Sequence, residues 1–296
     1  MRSPMGADIK TIGLFGKYGS SASGGEITRL CEFLQSRKYN VLLDEATAKL
    51  VDKPAPDSLP IADIGKQIDL AIVIGGDGTL LNVARNLADW RVPLIGVNLG
   101  RLGFLTDIPA ENMLPDVGRM LDGDYETEQR FMLSATIQRQ GKIVHNSNAF
   151  NDVIVNKSQL ARLIEFETYL DGEFVNGMAA DGIIIATPTG STAYALSAGG
   201  PLLHPTLSAI VLVPICPHTL SDRPIVVSSD SVVEIVMTRT KDQRAHVTFD
   251  GQLNYPLQDE DRISVRRAQH SICLWHPSGR NHYDVLRTKL HWGGKL

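Results

Sequence analysis

Cysteine is scarce and scattered in this chain. Cys31, Cys216 and Cys273 are the only three, they lie far apart, and they form no zinc-type spacing. That pattern excludes a disulfide framework and predicts reduced, mostly buried thiols in a cytoplasmic protein. Long apolar runs are missing too. None approaches the roughly 20 residues of a membrane span, and the polar start MRSPMGADIK does not read as a signal peptide. Charge of one sign is not in excess. A formal net charge of −4 over 296 residues gives no general attraction to nucleic acid or anionic membranes, so any polyanion site must be local. No internal repeat or low-complexity tract stands out. Apolar side chains are plentiful, at 43%, and a chain this long has ample core for one or two domains.

The periodicity changes once along the chain and then partly changes back. Lys10 to Phe15 reads as a strand, Glu26 to Leu34 as an amphipathic helix, and Asn40 to Leu43 as a short strand. Asp52 to Pro60 reads as a Pro-rich loop, and Val92 to Val97 as another strand. Alternation of this kind predicts a parallel sheet with helical crossovers. From about Phe131 strand follows strand. Met132 to Gln138 and Lys142 to Ser147 flank Gln140-Gly141, and Leu163 to Leu170 and Phe174 onward flank Asp171-Gly172, a hairpin signal. Val232 to Thr238, His246 to Phe249 and Arg262 to Arg266 continue the series. Tyr283 to Trp292 returns to helical spacing and stops at Gly293-Gly294. The expected fold is an α/β N-terminal domain with a parallel sheet plus a β-rich, sandwich-like C-terminal domain, the C-terminal segment returning to the first. The expected boundaries are 1–128, completed by about 270–296, and 129–269.

The most informative stretch is IDLAIVIGGDGTLL, Ile68 to Leu81. The apolar run Leu70 to Ile74 predicts a strand buried on both faces. Gly75-Gly76-Asp77-Gly78-Thr79 interrupts it, and a helical pattern with Leu80, Leu81, Val83, Ala84 and Leu87 follows. The loop after such a strand lies at the carboxyl edge of the sheet, where open α/β folds bind ligands. Its glycines permit close backbone approach, and the helix start offers N–H groups to an anion. Asp77 is a lone carboxylate in that frame, suited to a metal ion or to accepting a hydroxyl proton. An Asp-Gly turn is the plain alternative.

Three further segments stand beside it. Gly96 to Thr106 also follows an apolar strand; its Gly100 and Gly103 permit close approach, and Phe104 has a ring face to offer a base, although a lone phenylalanine more often belongs to a core. Asn151-Asp152 precedes a strand with side-chain oxygens suited to ribose hydroxyls or a base edge, or forms an Asx turn. In Asp181 to Pro201, a strand Ile183 to Ile185 feeds a hydroxyl-rich loop, with a short helix expected near Ser191. Its Thr and Ser residues exceed what one cap needs. Gly13, Gly16 and Gly19 are not spaced as G-x-G-x-x-G and read as a loop that borders the site. His218, beside two prolines, reads as structural; His270, His276 and His282 lack ligand spacing and read as surface or interface residues.

GGDGT at Gly75 to Thr79, the Asn-acid pair and DGIIIATPTGSTAYALSAGGP at Asp181 to Pro201 together resemble bacterial NAD kinases. Pro217-His218-Thr219-Leu220-Ser221, Arg223-Pro224, Asp250-Gly251-Gln252 and Thr288-Lys289-Leu290 extend the resemblance over nearly the whole chain from about Thr11. GGDGT alone is shared with lipid kinases and, loosely, with phosphofructokinases; the TPTGSTAY block is the specific part. The resemblance implies transfer of the γ-phosphoryl of ATP to the adenosine ribose 2′-OH of NAD, giving NADP, with a divalent metal ion such as Mg²⁺. It implies Asp77 as proton acceptor and Gly78 and Phe104 near the nucleotide. Asn151, Asp152, Arg162, Ala179, Asp181 and Gln252 would contact NAD, and Thr189, Thr192, Ala193, Tyr194, Ala195, Leu196 and Ser197 would line the site. No residue is assigned as a metal ligand. It further implies a homo-oligomer, tetramer or dimer, with sites completed across subunits. Polyphosphate beside ATP, and NADH beside NAD, stay open.

Two positions depart from the resemblance. Asp152 stands where Glu is more common, one methylene longer. Ala179 stands where relatives usually carry Arg or Lys, which predicts weaker binding of a phosphorylated ligand. Two other readings remain: a GGDGT kinase of a lipid or sugar, opposed by the TPTGSTAY block and by the lack of a membrane-facing amphipathic helix, and a non-catalytic dinucleotide sensor, which would not need Asp77.

Overall fold

A computed structural model describes residues 9–17, 23–51, 56–100, 103–157, 163–219, 221–239 and 245–293. Arg162 and Gly19 lie outside these. The chain divides into two compact units, Met1–Gln129 with Ile272–Leu296, and Arg130–Ser271.

In the first unit the strands run in the order Ser58–Leu59, Asn40–Asp44, Thr11–Gly16, Leu70–Gly75, Leu94–Asn98, and then Leu274 and Trp275 of the strand Arg262–Pro277. Every one of these pairings is parallel. Ile12, Leu14, Ile72, Ile74, Ile95 and Val97 are fully buried in this sheet, because helices cover a parallel sheet. Gly24–Ser36 contributes Ile27, Leu30 and Leu34 to the same core, and Met113–Leu121 contributes Met113, Val117 and Met120. The closing helix His282–Leu290, capped by the Asn281 side chain on the Tyr283 amide, buries Val285 and Leu286 in this unit, as the return of periodicity predicts.

In the second unit a six-stranded sheet runs Ile225–Ser228, Ala209–Ile215, Gly182–Ala186, Asp152–Lys157, Ala245–Phe249, Leu253–Pro256, antiparallel throughout. A second antiparallel set joins Glu173–Ala180, Ile164–Leu170, Val233–Arg239 and the first part of Arg262–Pro277. Val153, Val155, Ile183 and Ile185 share one core with Phe166, Ile235 and Ile263, so the two sheets form a sandwich. Ile154, Ile184 and Ala186 pack on the other face, against Ala195 and Leu203. The six-stranded sheet is therefore buried on both sides in its middle strands.

Four details differ from the sequence expectations. The Pro-rich loop contains the short strand Ser58–Leu59, whose pairing register is Leu43 with Ser58 and Asp44 with Leu59. The strand beginning at Arg262 runs on to Pro277. Gly13 and Gly16 lie inside the first strand and not in a loop. No regular helix starts at Ser191: Gly190–Thr192 is a single 3-10 turn, and after a break at Ala193 (φ −99°, ψ −130°) comes one α-helical turn, Tyr194–Ser197. A single turn aligns few peptide dipoles, so this segment offers an anion little helix-end charge.

Candidate active site

Asp77 sits where the central strand Leu70–Gly75 ends and the helix Asp77–Leu87 begins. The buried stripe Leu80, Leu81, Val83, Ala84 and Leu87 fixes that helix and so the carboxylate at its first residue. Asp77 does not hang free in its glycine frame. Its Oδ2 accepts the Phe104 amide at 2.8 Å, and its Oδ1 accepts the amides of Leu105 and Thr106, each at 3.1 Å, and the Thr106 hydroxyl at 3.0 Å. Asn98, at the end of the neighbouring strand, donates its Nδ2 to the Thr106 hydroxyl at 2.8 Å and accepts the Gly100 amide at 2.7 Å. Gly103 is required here, because a Cβ on it would collide with Asp77 Oδ1 and Thr106 Oγ1. Phe104 is half-buried and Gly78 exposed. The load on the two oxygens is unequal, three donors against one, so Oδ2 keeps acceptor capacity for another hydroxyl.

A second carboxylate does the same for the Asn-acid pair in the other unit. Asp250 Oδ1 accepts the Asn151 amide at 2.7 Å and the Asp152 amide at 3.3 Å, and Oδ2 accepts the Phe150 amide at 3.1 Å. Its own amide returns a bond to the Asp152 carbonyl at 3.0 Å, and it adopts φ +53° at the hairpin turn preceding Gly251. Asn151 also accepts the Thr187 amide through its carbonyl, at 2.9 Å. Asp152 is buried (3% exposed), and burial first, then the nearby Asp250 charge, pushes its pKa up to about 7.

The hydroxyls of the Thr187–Thr192 loop turn inward. Thr187 Oγ1 donates to the Phe150 carbonyl (2.8 Å) and accepts the Gly190 amide (3.1 Å); Ser191 Oγ donates to Pro188 O (2.7 Å) and accepts the Leu203 amide (3.0 Å). Thr192 bonds the Thr189 carbonyl, and Thr189 Oγ1 accepts from the buried Arg130. These hydroxyls thus build the loop and fasten it beside Asn151. Tyr194 and Ser197 are exposed, Thr192, Ala193 and Leu196 half-buried, and Ala195 is fully buried in the core.

Asp181 pairs with Lys157 at 2.6 Å, and Ala179, two residues earlier, is half-buried, its carbonyl bonded by the His218 amide at 2.9 Å. His218 itself is exposed, and the Gln252 amide bonds the Phe249 carbonyl. His276 is not a surface residue as its spacing suggests. Its side chain is 5% exposed and lies between Asp107 (2.8 Å) and Glu128 (3.2 Å), with Arg280 beside both carboxylates. Partners that remote in sequence leave no local spacing to read. The roles of Asp250 and Lys157 are equally invisible locally, although Asp250-Gly251 marks a turn.

Among the described residues no group of three or more His, Cys, Asp or Glu could hold a metal ion, and no helix is long and apolar enough to cross a membrane.

Comparison with known proteins gives one consistent result. Residues 12–125 match the family model of the ATP-NAD kinase N-terminal domain, and residues 150–276 match that of the C-terminal domain. The NAD kinase of Nitrosospira multiformis is 47% identical over 290 residues, 98% of both chains, and that of Thiobacillus denitrificans 48% over 289 residues, 97% of this chain and 98% of the relative. Among solved structures, yeast NADH kinase complexed with NADH superposes with a TM-score of 0.85 at 25% identity, covering 97% of this chain and 89% of the other. An Archaeoglobus fulgidus NAD kinase in complex with ATP gives 0.76 at 26% identity, covering 96% and 100%.

Proposed function

The chain belongs to the ATP-NAD kinase family, whose enzymes phosphorylate NAD with ATP, and on that premise we propose Asp77 as the general base of the reaction. The acceptor in this reading is the 2′-OH of the adenosine ribose, and the product is NADP. The observation that carries it is the unequal hydrogen bonding of the Asp77 carboxylate. Four donors hold the group at the strand end, yet only one of them falls on Oδ2. An acceptor fixed in this way meets a hydroxyl without first reorganising, which is what positioning contributes to catalysis.

Phosphoryl transfer passes through a loose transition state, so it asks for alignment and charge compensation more than for covalent machinery. Asn151, Asp152, Asp181 and Gln252 are assigned to NAD, with Thr189, Thr192, Ala193, Tyr194, Leu196 and Ser197 along its path and Ala195 behind them as packing. Gly78 and Phe104 are assigned to the nucleotide beside Asp77. A divalent cation, Mg²⁺ in this reading, supplies charge compensation and would be held chiefly by phosphate oxygens, as Mg²⁺ commonly is. We place the protein in the cytoplasm as a homo-oligomer.

The purified protein incubated with ATP and Mg²⁺ and, separately, NAD, diacylglycerol or fructose 6-phosphate tests the substrate. NADP formation alone is expected. Turnover of either other acceptor would overturn the proposal, and NAD binding with no turnover would leave a sensor.

A further inference from the structure

Phe104 is held through both of its backbone groups. Its N–H reaches Asp77 Oδ2 at 2.8 Å, and its carbonyl accepts Arg280 Nη2, also at 2.8 Å. Arg280 is 11% exposed and is itself fixed: Nε lies 2.5 Å from Asp107 Oδ2, and Nη1 3.3 Å from Glu128 Oε2. His276 closes the group, Nδ1 at 2.8 Å from Asp107 and Nε2 at 3.2 Å from Glu128. Two carboxylates thus face two cationic side chains in a mostly buried cluster, which is charge-balanced when His276 is protonated. Burial pulls the His276 pKa down, but the hydrogen bonds with Asp107 and Glu128 outweigh it, and the net shift is upward.

A cluster that merely staples the closing segment has no need to bond a backbone carbonyl within residues 104–106, the stretch whose amides hold the Asp77 carboxylate. We propose that Arg280 is a positioning residue for the kinase reaction: held by Asp107, Glu128 and His276, it fixes the Phe104–Leu105 peptide, whose N–H reaches Asp77 Oδ1, and, with the Phe104 amide on Oδ2, the orientation of the whole carboxylate. This deepens the reading of Asp77 as base and rests on it. A guanidinium suits the task because its planar fork serves a carbonyl and two carboxylates at once, which an ammonium cannot do.

The experiment compares Arg280→Met and Arg280→Lys with wild type and Asp77→Asn, measuring kcat, the KM values for NAD and ATP, and Tm. Loss of aim acts on the chemical step, so kcat of Arg280→Met is expected to fall at least about tenfold while both KM values stay within about threefold, since small misplacements at a reacting group cost that much or more. Arg280→Lys is expected to recover part of the loss. If Arg280→Met fails to fold, Arg280→Lys carries the test: reduced kcat at wild-type Tm supports the proposal. Wild-type kcat in either folded variant, with Asp77→Asn inactive, would overturn it. Near-normal kcat in Asp77→Asn would instead remove the base assignment on which it stands.

Discussion

Thr106 donates to one oxygen of Asp77 twice, through its amide at 3.1 Å and through its hydroxyl at 3.0 Å. That oxygen is loaded by the fold, while the other accepts a single amide and is the one the general-base proposal uses. Thr106 is fully buried and its hydroxyl also accepts from Asn98. Thr106→Val therefore strands a buried amide donor, which costs about 1–3 kcal/mol. Tm is expected to drop while Asp77 keeps its three amide donors and turnover falls only modestly. A thermal melt beside a steady-state assay checks this; complete loss of activity at unchanged Tm would mean that Thr106 itself touches substrate.

Gly103→Ala makes the converse experiment. The new Cβ collides with Asp77 Oδ1 and Thr106 Oγ1, so the loop or the carboxylate must shift. A displacement of that kind at a reacting group lowers kcat by on the order of 10²-fold. Wild-type kcat for this variant would show that the position of the carboxylate is not critical.

Gly190→Ala probes the other half of the chemistry. Its Cβ would strike the Asn151 carbonyl, moving the Asn-acid pair off its Asp250 anchor. Overpacking costs about 1–3 kcal/mol, and part of it is expected to appear as a KM for NAD raised roughly tenfold, with a smaller change for ATP. An unchanged KM for NAD would detach Asn151 from dinucleotide binding.

How much of this was legible in sequence follows a physical line. The buried run Leu70 to Ile74 and the glycines after it announce a strand end, because burial on both faces and close backbone approach each leave a compositional mark. The alternating half-sheets announce the sandwich in the same way. What each carboxylate holds is not marked. Asp77 meets residues 104–106, and Asp250 meets residues 150–152, about 100 positions away. Contacts of that range are set by sheet order. The hydroxyl-rich loop misled in the opposite sense: four side chains that exceed the needs of a cap are used in fastening a loop that is scarcely helical. His276 looks like a surface histidine until Asp107 and Glu128 are placed around it.

Asp152 gives a pH signature. Its folded pKa, raised from 3.8 to about 7, lies above the unfolded value, so the native state holds a proton that the unfolded chain has released between those limits. Stability from this group is greatest at the acid end, is lost as pH rises from about 4 to 7, and the penalty stays constant above that. Asp152→Asn is expected to raise Tm relative to wild type at pH 8 and to lose that advantage towards pH 4. Parallel melting curves across pH check it, and a constant difference would contradict the shift.

Ala179 stands two residues before Asp181, where the family resemblance implies a cation. Asp181 has Lys157 as a cationic partner. Ala179→Arg adds a second, and is expected to tighten inhibition by NADPH severalfold while kcat stays near wild type. Titration of both proteins with NADPH decides the matter; superimposable curves would contradict a role for this position in phosphate binding.

The general-base assignment faces its most direct test in Asp77→Asn. Asn keeps the size of the side chain but replaces one carboxylate oxygen by an NH2 group, so it removes the proposed proton acceptor together with part of the anchor made by residues 104–106. NADP formation at saturating ATP, Mg²⁺ and NAD should be measured together with the dissociation constant for NAD and with Thr106→Val as the control for a disturbed loop. General-base help is worth ~10²–10⁴-fold. The kcat of Asp77→Asn is expected at least ~10²-fold below wild type, far below that of Thr106→Val, with NAD affinity within a few-fold of wild type. A kcat for Asp77→Asn within a few-fold of wild type would contradict it.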